Sequence, residues 1–89
     1  MIARKIQYSG RVQGVGFRYT AQQIAARFVV AGTVRNLPGG DVELIAEGTA
    51  EEVERFLAEL DQAMTGYIEQ RRIEDEPVQN FRGFAILRG

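Results

Sequence analysis

The spacing of apolar residues changes along the chain. Ile6, Tyr8, Gly10 and Val12 alternate with Lys5, Gln7, Ser9 and Arg11, and this period of two predicts a half-buried strand. From Arg18 the period lengthens. Ala21, Ile24, Ala25 and Phe28 stand at i, i+3, i+4 and i+7, the apolar stripe of an amphipathic helix. Gly32 is its expected C-cap, although β-branched Val29 and Val30 favour an earlier end. Thr33 to Leu37 reads as a short strand and Pro38-Gly39-Gly40-Asp41 as a turn. Val42, Leu44 and Ala46 alternate with Glu43, Ile45 and Glu47, giving the partner strand of a hairpin. A second helix begins behind Thr49, which forms a capping box with Glu52. Its stripe is Val53, Phe56, Leu57, Leu60 and Met64. Glu51 and Arg55 pair across one turn of its polar side, and Gly66 closes it. Tyr67 to Glu76 is a further strand in which Ile68 and Ile73 differ in parity, so both face the core only if a bulge intervenes. After a loop at Pro77 to Asn80, Phe81 to Arg88 is the last strand, with Phe84 and Ile86 on one face.

The resulting order is β-α-β-β-α-β with an additional short strand near the end. Two helices then cover one face of a mainly antiparallel sheet, which is the ferredoxin-like α/β sandwich of the α+β class. Eighty-nine residues without repeats or linkers predict one domain, residues 1–89. An apolar fraction of 45% is enough for a single small core.

Composition narrows the chemistry. There is no cysteine and no histidine, so disulfides and thiolate metal sites are excluded, together with the commonest general base. Ser9 is the only serine and has no histidine to activate it. What remains is arginine, asparagine, carboxylates, hydroxyls and backbone. A net charge of −1 gives no footprint for nucleic acid or acidic membranes. Arg82-Gly83-Phe84-Ala85 resembles the opening of an RNA-binding signature, but Ile86 stands where an aromatic is needed and the segment falls in the last strand. With no long apolar run and no leader, neither a membrane span nor a signal peptide is expected. The expectation is a cytoplasmic monomer.

Gly10-Arg11-Val12-Gln13-Gly14-Val15-Gly16-Phe17-Arg18 joins the first strand to the first helix. Gly14 and Gly16 tolerate positive φ and let a ligand approach the backbone. The N–H groups from Gln13 to Arg18 would converge at the helix N-terminus, where the dipole favours an anion, and Arg18 adds a guanidinium fork. Glycine spacing alone still favours a plain tight turn, because short glycine patterns recur by chance. Asn36 is the second candidate. It shares strand parity with Val34, so it faces the helices if Val34 does, and its amide could hold a water. Taken alone, it is as well explained by shaping the Pro38 turn. Glu51, Glu52 and Glu54 are accounted for by helix capping rather than by a metal.

Four blocks carry a family resemblance: Gly10 through Tyr19, Gly32-Thr33-Val34-Arg35-Asn36-Leu37-Pro38-Gly39-Gly40-Asp41-Val42-Glu43, Ala46-Glu47-Gly48, and Phe81 through Ile86. Together they resemble the acylphosphatase family nearly end to end. The resemblance implies hydrolysis of a small-molecule acyl phosphate to carboxylate and phosphate, with no metal or cofactor. It implies that Gln13, Gly14, Val15, Gly16, Phe17 and Arg18 bind the phosphate, that Arg18 clamps it, and that Asn36 positions the attacking water. Thr33 departs from the family, many members of which carry tryptophan there, and this bears on local packing. The alternative is a non-catalytic anion- or small-molecule-binding module on the same fold. Retention of both Arg18 and Asn36 argues against it.

Overall fold

The structure is a computed structural model and describes residues 1–88. Its elements run β1 Ile2–Gly10, α1 Phe17–Ala25, β2 Val30–Asn36, β3 Val42–Gly48, α2 Ala50–Ala63, β4 Ile68–Glu76 and β5 Phe84–Leu87. The five strands form one mixed sheet in the order β4-β1-β3-β2-β5. Three pairings are antiparallel, and only β2 with β5 is parallel. The expected ferredoxin-like α+β sandwich is the observed fold, and the additional short strand is β5 at the sheet edge.

The alternation read from the sequence decides which face is covered. Ile6 of β1, Leu44 of β3 and Val34 of β2 lie side by side in register, and all three are fully buried. The apolar stripes of the helices close over this row through Ala21 and Ile24 of α1 and Val53, Phe56 and Leu60 of α2. Each large aliphatic or aromatic side chain buried in this way contributes about 1.5–3 kcal/mol.

Several local expectations are corrected. Helix α1 ends at Ala25, seven residues before Gly32, and β2 begins at Val30. The chain tightens at Arg27 and Phe28, whose N–H groups donate to the carbonyls of Ile24 and Ala25, and it extends from β-branched Val30 onward. Gly32 therefore lies inside β2, where a Cβ would sit 1.8 Å from the Ile45 carbonyl oxygen; it permits a close strand approach rather than capping a helix. The capping box is half formed. Thr49 Oγ1 accepts from the Glu52 N–H at 3.2 Å, but Glu52 turns away to accept from the Val29 N–H at 2.7 Å. Arg55 pairs with Glu52, not Glu51. The last strand covers only Phe84–Leu87. The parity conflict in β4 is resolved by a bulge: Ser9 pairs with Gln70 and Gly10 with Ile68, which skips Glu69 and returns Ile68 to the face of Ile73.

Strands β4 and β5 occupy opposite edges, so the connection between them must cross the sheet. Glu47 holds it. This side chain is 3% exposed, the only buried charged one among the described residues. Its carboxylate accepts from the Phe81 N–H at 2.9 Å and from the Gln79 N–H.

No helix among the described residues is long and apolar enough to cross a membrane.

Candidate active site

Strands β1 and β2 are parallel and flank β3. Val42 pairs with Tyr8 on one side and with Asn36 on the other. The β1–α1 loop and the β2–β3 turn therefore leave the same end of the sheet, about two strand spacings, or roughly 10 Å, apart. Something must draw the loop across β3 if it is to meet Asn36. Gln13 does so. Its amide Nε2 donates to the carbonyls of Leu37 at 2.9 Å and Asp41 at 2.8 Å, the two residues bracketing the turn. Asp41 is held in turn by Gln7 Nε2 at 2.7 Å.

Beyond Gln13 the loop runs through Gly14 at φ 77° and Gly16 at φ 78°. A Cβ at either position would meet no atom within 4 Å, so both glycines answer to backbone conformation and not to crowding. Gly16 is the N-cap of α1, and its carbonyl accepts from the Thr20 N–H at 2.9 Å to close the first helical turn. The N–H groups of Phe17, Arg18 and Tyr19 precede that bond and have no intrahelical acceptor. No side chain caps Gly16, and the first turn carries no acidic residue. The positive end of the helix is thus left open to an anion.

The side chains sort accordingly. Phe17 is buried and packs its ring 4.8 Å from that of Tyr8. Val15 is half-buried against the core edge. Neither presents more than backbone to a ligand. Arg18 and Asn36 are both half-buried, and both line one cleft of about 250 Å³ together with Gly14, Gly16, Tyr19 and Arg88. Asn36 does face the helices, like Val34. Arg18 Nη1 donates to the Leu87 carbonyl at 3.3 Å, and Gln22 Nε2 to that of Phe84 at 3.2 Å, so β5 forms the far wall. Among the described residues, no carboxylate lines the cleft. The arrangement can hold a small dianion against backbone donors and one guanidinium, with a neutral amide beside it.

Sequence reasoning placed Gln13 in the loop for its N–H and missed the side-chain link, because nothing local announces a bond to residues more than twenty positions away. It also passed over Arg88, which reaches the cleft only because β5 pairs with β2.

Known proteins share this sequence pattern and fold. Residues 4–86 match the family model described as Acylphosphatase. The chain is 42% identical over 82 residues to an acylphosphatase of Methanospirillum hungatei, covering 90% of each chain. It is 37% identical over 89 residues to one from Acaryochloris marina, covering 99% of this chain and 96% of that one. Among solved structures, the crystal structure of acylphosphatase from Bacillus subtilis superposes with a TM-score of 0.90 at 30% identity, covering 98% of this chain and 99% of the other.

Proposed function

Since the chain belongs to the acylphosphatase family and is an enzyme that hydrolyses acyl phosphates, we propose that Arg18 and the Gln13–Arg18 backbone bind the phosphoryl group and that Asn36 positions the attacking water. The observation that supports these roles is a shared cleft: Arg18 and Asn36, carried by different elements, line it together with Gly14 and Gly16.

Phosphoryl transfer asks mainly for positioning and charge stabilisation. The substrate's phosphoryl oxygens sit against the N–H groups at the start of α1 and against the Arg18 fork, which stabilise the equatorial oxygens as charge redistributes. The leaving carboxylate is stable as an anion, so no protonating acid is needed. The Asn36 amide holds water in line, opposite the leaving oxygen. An amide is too weak a base to deprotonate that water, so the proton passes to a phosphoryl oxygen. No step calls on a metal or cofactor. Residues 1–89 act as one domain and as a monomer in the cytoplasm, without nucleic acid; the net charge of −1 supports the last point.

Phosphate release from acetyl phosphate, measured with a chelator present, tests the roles. Arg18→Ala and Asn36→Ala should each lower kcat/KM by about 10²–10³-fold, the cost of removing one preorganised donor. Arg18→Lys keeps the charge but loses the fork, and should recover only part of the binding. Full activity in either alanine variant would remove that residue from the mechanism.

A further inference from the structure

Asp41 is gripped at both its backbone and its side chain. Its carbonyl closes the β2–β3 turn by accepting from the Leu37 N–H at 2.8 Å, and the same oxygen accepts from Gln13 Nε2, also at 2.8 Å. Its carboxylate goes elsewhere: Oδ2 accepts from Gln7 Nε2 at 2.7 Å. Ile6 and Tyr8 are buried under the helices, so Gln7 between them points to the open face of the sheet. The bond borders a depression of about 360 Å³ lined by Gln7, Ser9, Asp41, Gln70, Arg71 and Arg72. Arg71 is paired with Asp61, and Arg72 is the register neighbour of Gln7 on β4; among the described residues neither forms an ion pair with Asp41. Asp41 lines neither the cleft that holds Arg18 and Asn36 nor the depression beside that cleft. Its route to the chemistry is therefore the turn. Bonds to the carbonyl alone leave a residue free to pivot about that oxygen, and a further bond through the side chain, to a different residue of the sheet, removes the freedom. Asn36 immediately precedes the turn and pairs with Val42, which immediately follows Asp41, so the orientation of Asp41 passes directly to it.

Resting on the assignment of the attacking water to Asn36, we propose that Asp41 is a positioning residue for that water: held by Gln7, its carboxylate fixes the turn from which the Asn36 amide is aimed. Asp41 touches no substrate atom in this role. What the role requires is an acceptor on the side chain and not a charge, since the partner is a neutral amide.

The test is steady-state phosphate release from acetyl phosphate, measured below the Tm of each variant. Asp41→Ala should lower kcat about tenfold, less than the roughly hundredfold cost of a displacement of about 1 Å. KM should change less than about twofold, because Arg18 and the N–H groups of the loop are untouched. Asp41→Asn still offers an oxygen to Gln7 Nε2 and should keep kcat within about threefold of wild type. Gln7→Ala should match Asp41→Ala, and the double variant should be no slower than either single one. A normal kcat in Asp41→Ala, or an Asp41→Asn variant as slow as Asp41→Ala, would overturn the proposal. Asn36→Ala supplies the background that separates positioning from a structural role. Asp41→Ala should add no loss of kcat there, because the amide it aims is gone, and a further loss would overturn the proposal. Asn36→Ala by itself tests the water assignment. Full activity in that variant removes the reading on which the proposal rests, whereas an impaired Asn36→Ala beside a normal Asp41→Ala removes the proposal alone.

Discussion

Truncating Gln13 to alanine uncouples the anion loop from the turn carrying Asn36 while leaving every backbone N–H of the loop in place. The side chain makes two half-buried bonds from one amide nitrogen, at 2.9 and 2.8 Å. Each has a net value of about 0.5–1.5 kcal/mol, so their joint loss costs about 1–2 kcal/mol once water reaches the freed carbonyls. For a domain of this size that lowers Tm by roughly 5–15 °C. The kinetic effect should be larger than the stability effect suggests. The loop and Asn36 leave the sheet about 10 Å apart, and Gln13 is the direct bond between the two segments. A displacement of about 1 Å between phosphate and water can cost about a hundredfold in rate. The expected result for Gln13→Ala is a 10- to 100-fold fall in kcat on acetyl phosphate, with KM changed less than about threefold because Arg18 and the N–H groups still bind. Gln13→Glu should raise KM as well, since a carboxylate cannot donate to two carbonyls and sets a negative charge beside the cradle. Phosphate-release kinetics well below the lowered Tm, with thermal melts by circular dichroism, separate the effects. A normal kcat in Gln13→Ala alongside the expected loss of Tm would mean that the link serves stability alone.

Glu47→Ala removes a charged acceptor from the N–H groups of Gln79 and Phe81 and should cost about 3 kcal/mol in urea unfolding, with Glu47→Gln intermediate; a wild-type urea midpoint in the alanine variant would show that the β4–β5 crossing is held by other contacts. Tyr8 is fully buried, and burial pushes its hydroxyl pKa well above the ordinary value; the Asp61 carboxylate adds to the shift and the Arg71 guanidinium opposes it. The sign follows from proton counts: above pH of about 10 the unfolded chain releases this proton and the folded chain keeps it, so stability is full below that pH and declines as pH rises toward the folded pKa. Unfolding measured from pH 8 to 11.5 should therefore show a steeper alkaline decline in wild type than in Tyr8→Phe, and identical slopes would refute the assignment.

What the sequence disclosed, and what it hid, divides along a physical line. Periodicity reports which face a residue takes, so the buried rows of β1 and β3 and both helix stripes were legible, and Asn36 followed Val34 to the covered face. The parity clash between Ile68 and Ile73 correctly demanded a bulge, which lies at Glu69. Periodicity does not report where an element yields to its successor. Phe28 fits the α1 stripe by spacing, but Val30 is claimed by pairing with β3, where it stands opposite Gly48, and the Val29 N–H is taken by the Glu52 carboxylate. Side-chain to backbone links over long separations left no trace either. Glu47 reads as the polar half of an alternating strand, and nothing near it in sequence reveals that it receives two N–H groups from a loop more than thirty residues on.

The proposed chemistry depends on sheet register more than on any single contact near the substrate. Asn36 reaches the cleft because β2 pairs with β3 so that Asn36 opposes Val42. A slip of one residue would turn its amide to the opposite face. That slip is resisted far from the cleft. It would remove Val34 from the buried row it forms with Leu44 and Ile6, at about 1.5–3 kcal/mol for that side chain alone. It would also bring a residue with a Cβ to the place where Gly32 passes against the Ile45 carbonyl. The same row fixes β1, and with it the point at which the glycine loop departs. An apolar core that touches no substrate thus sets the separation of phosphate and water, and Gln13 closes what remains of it.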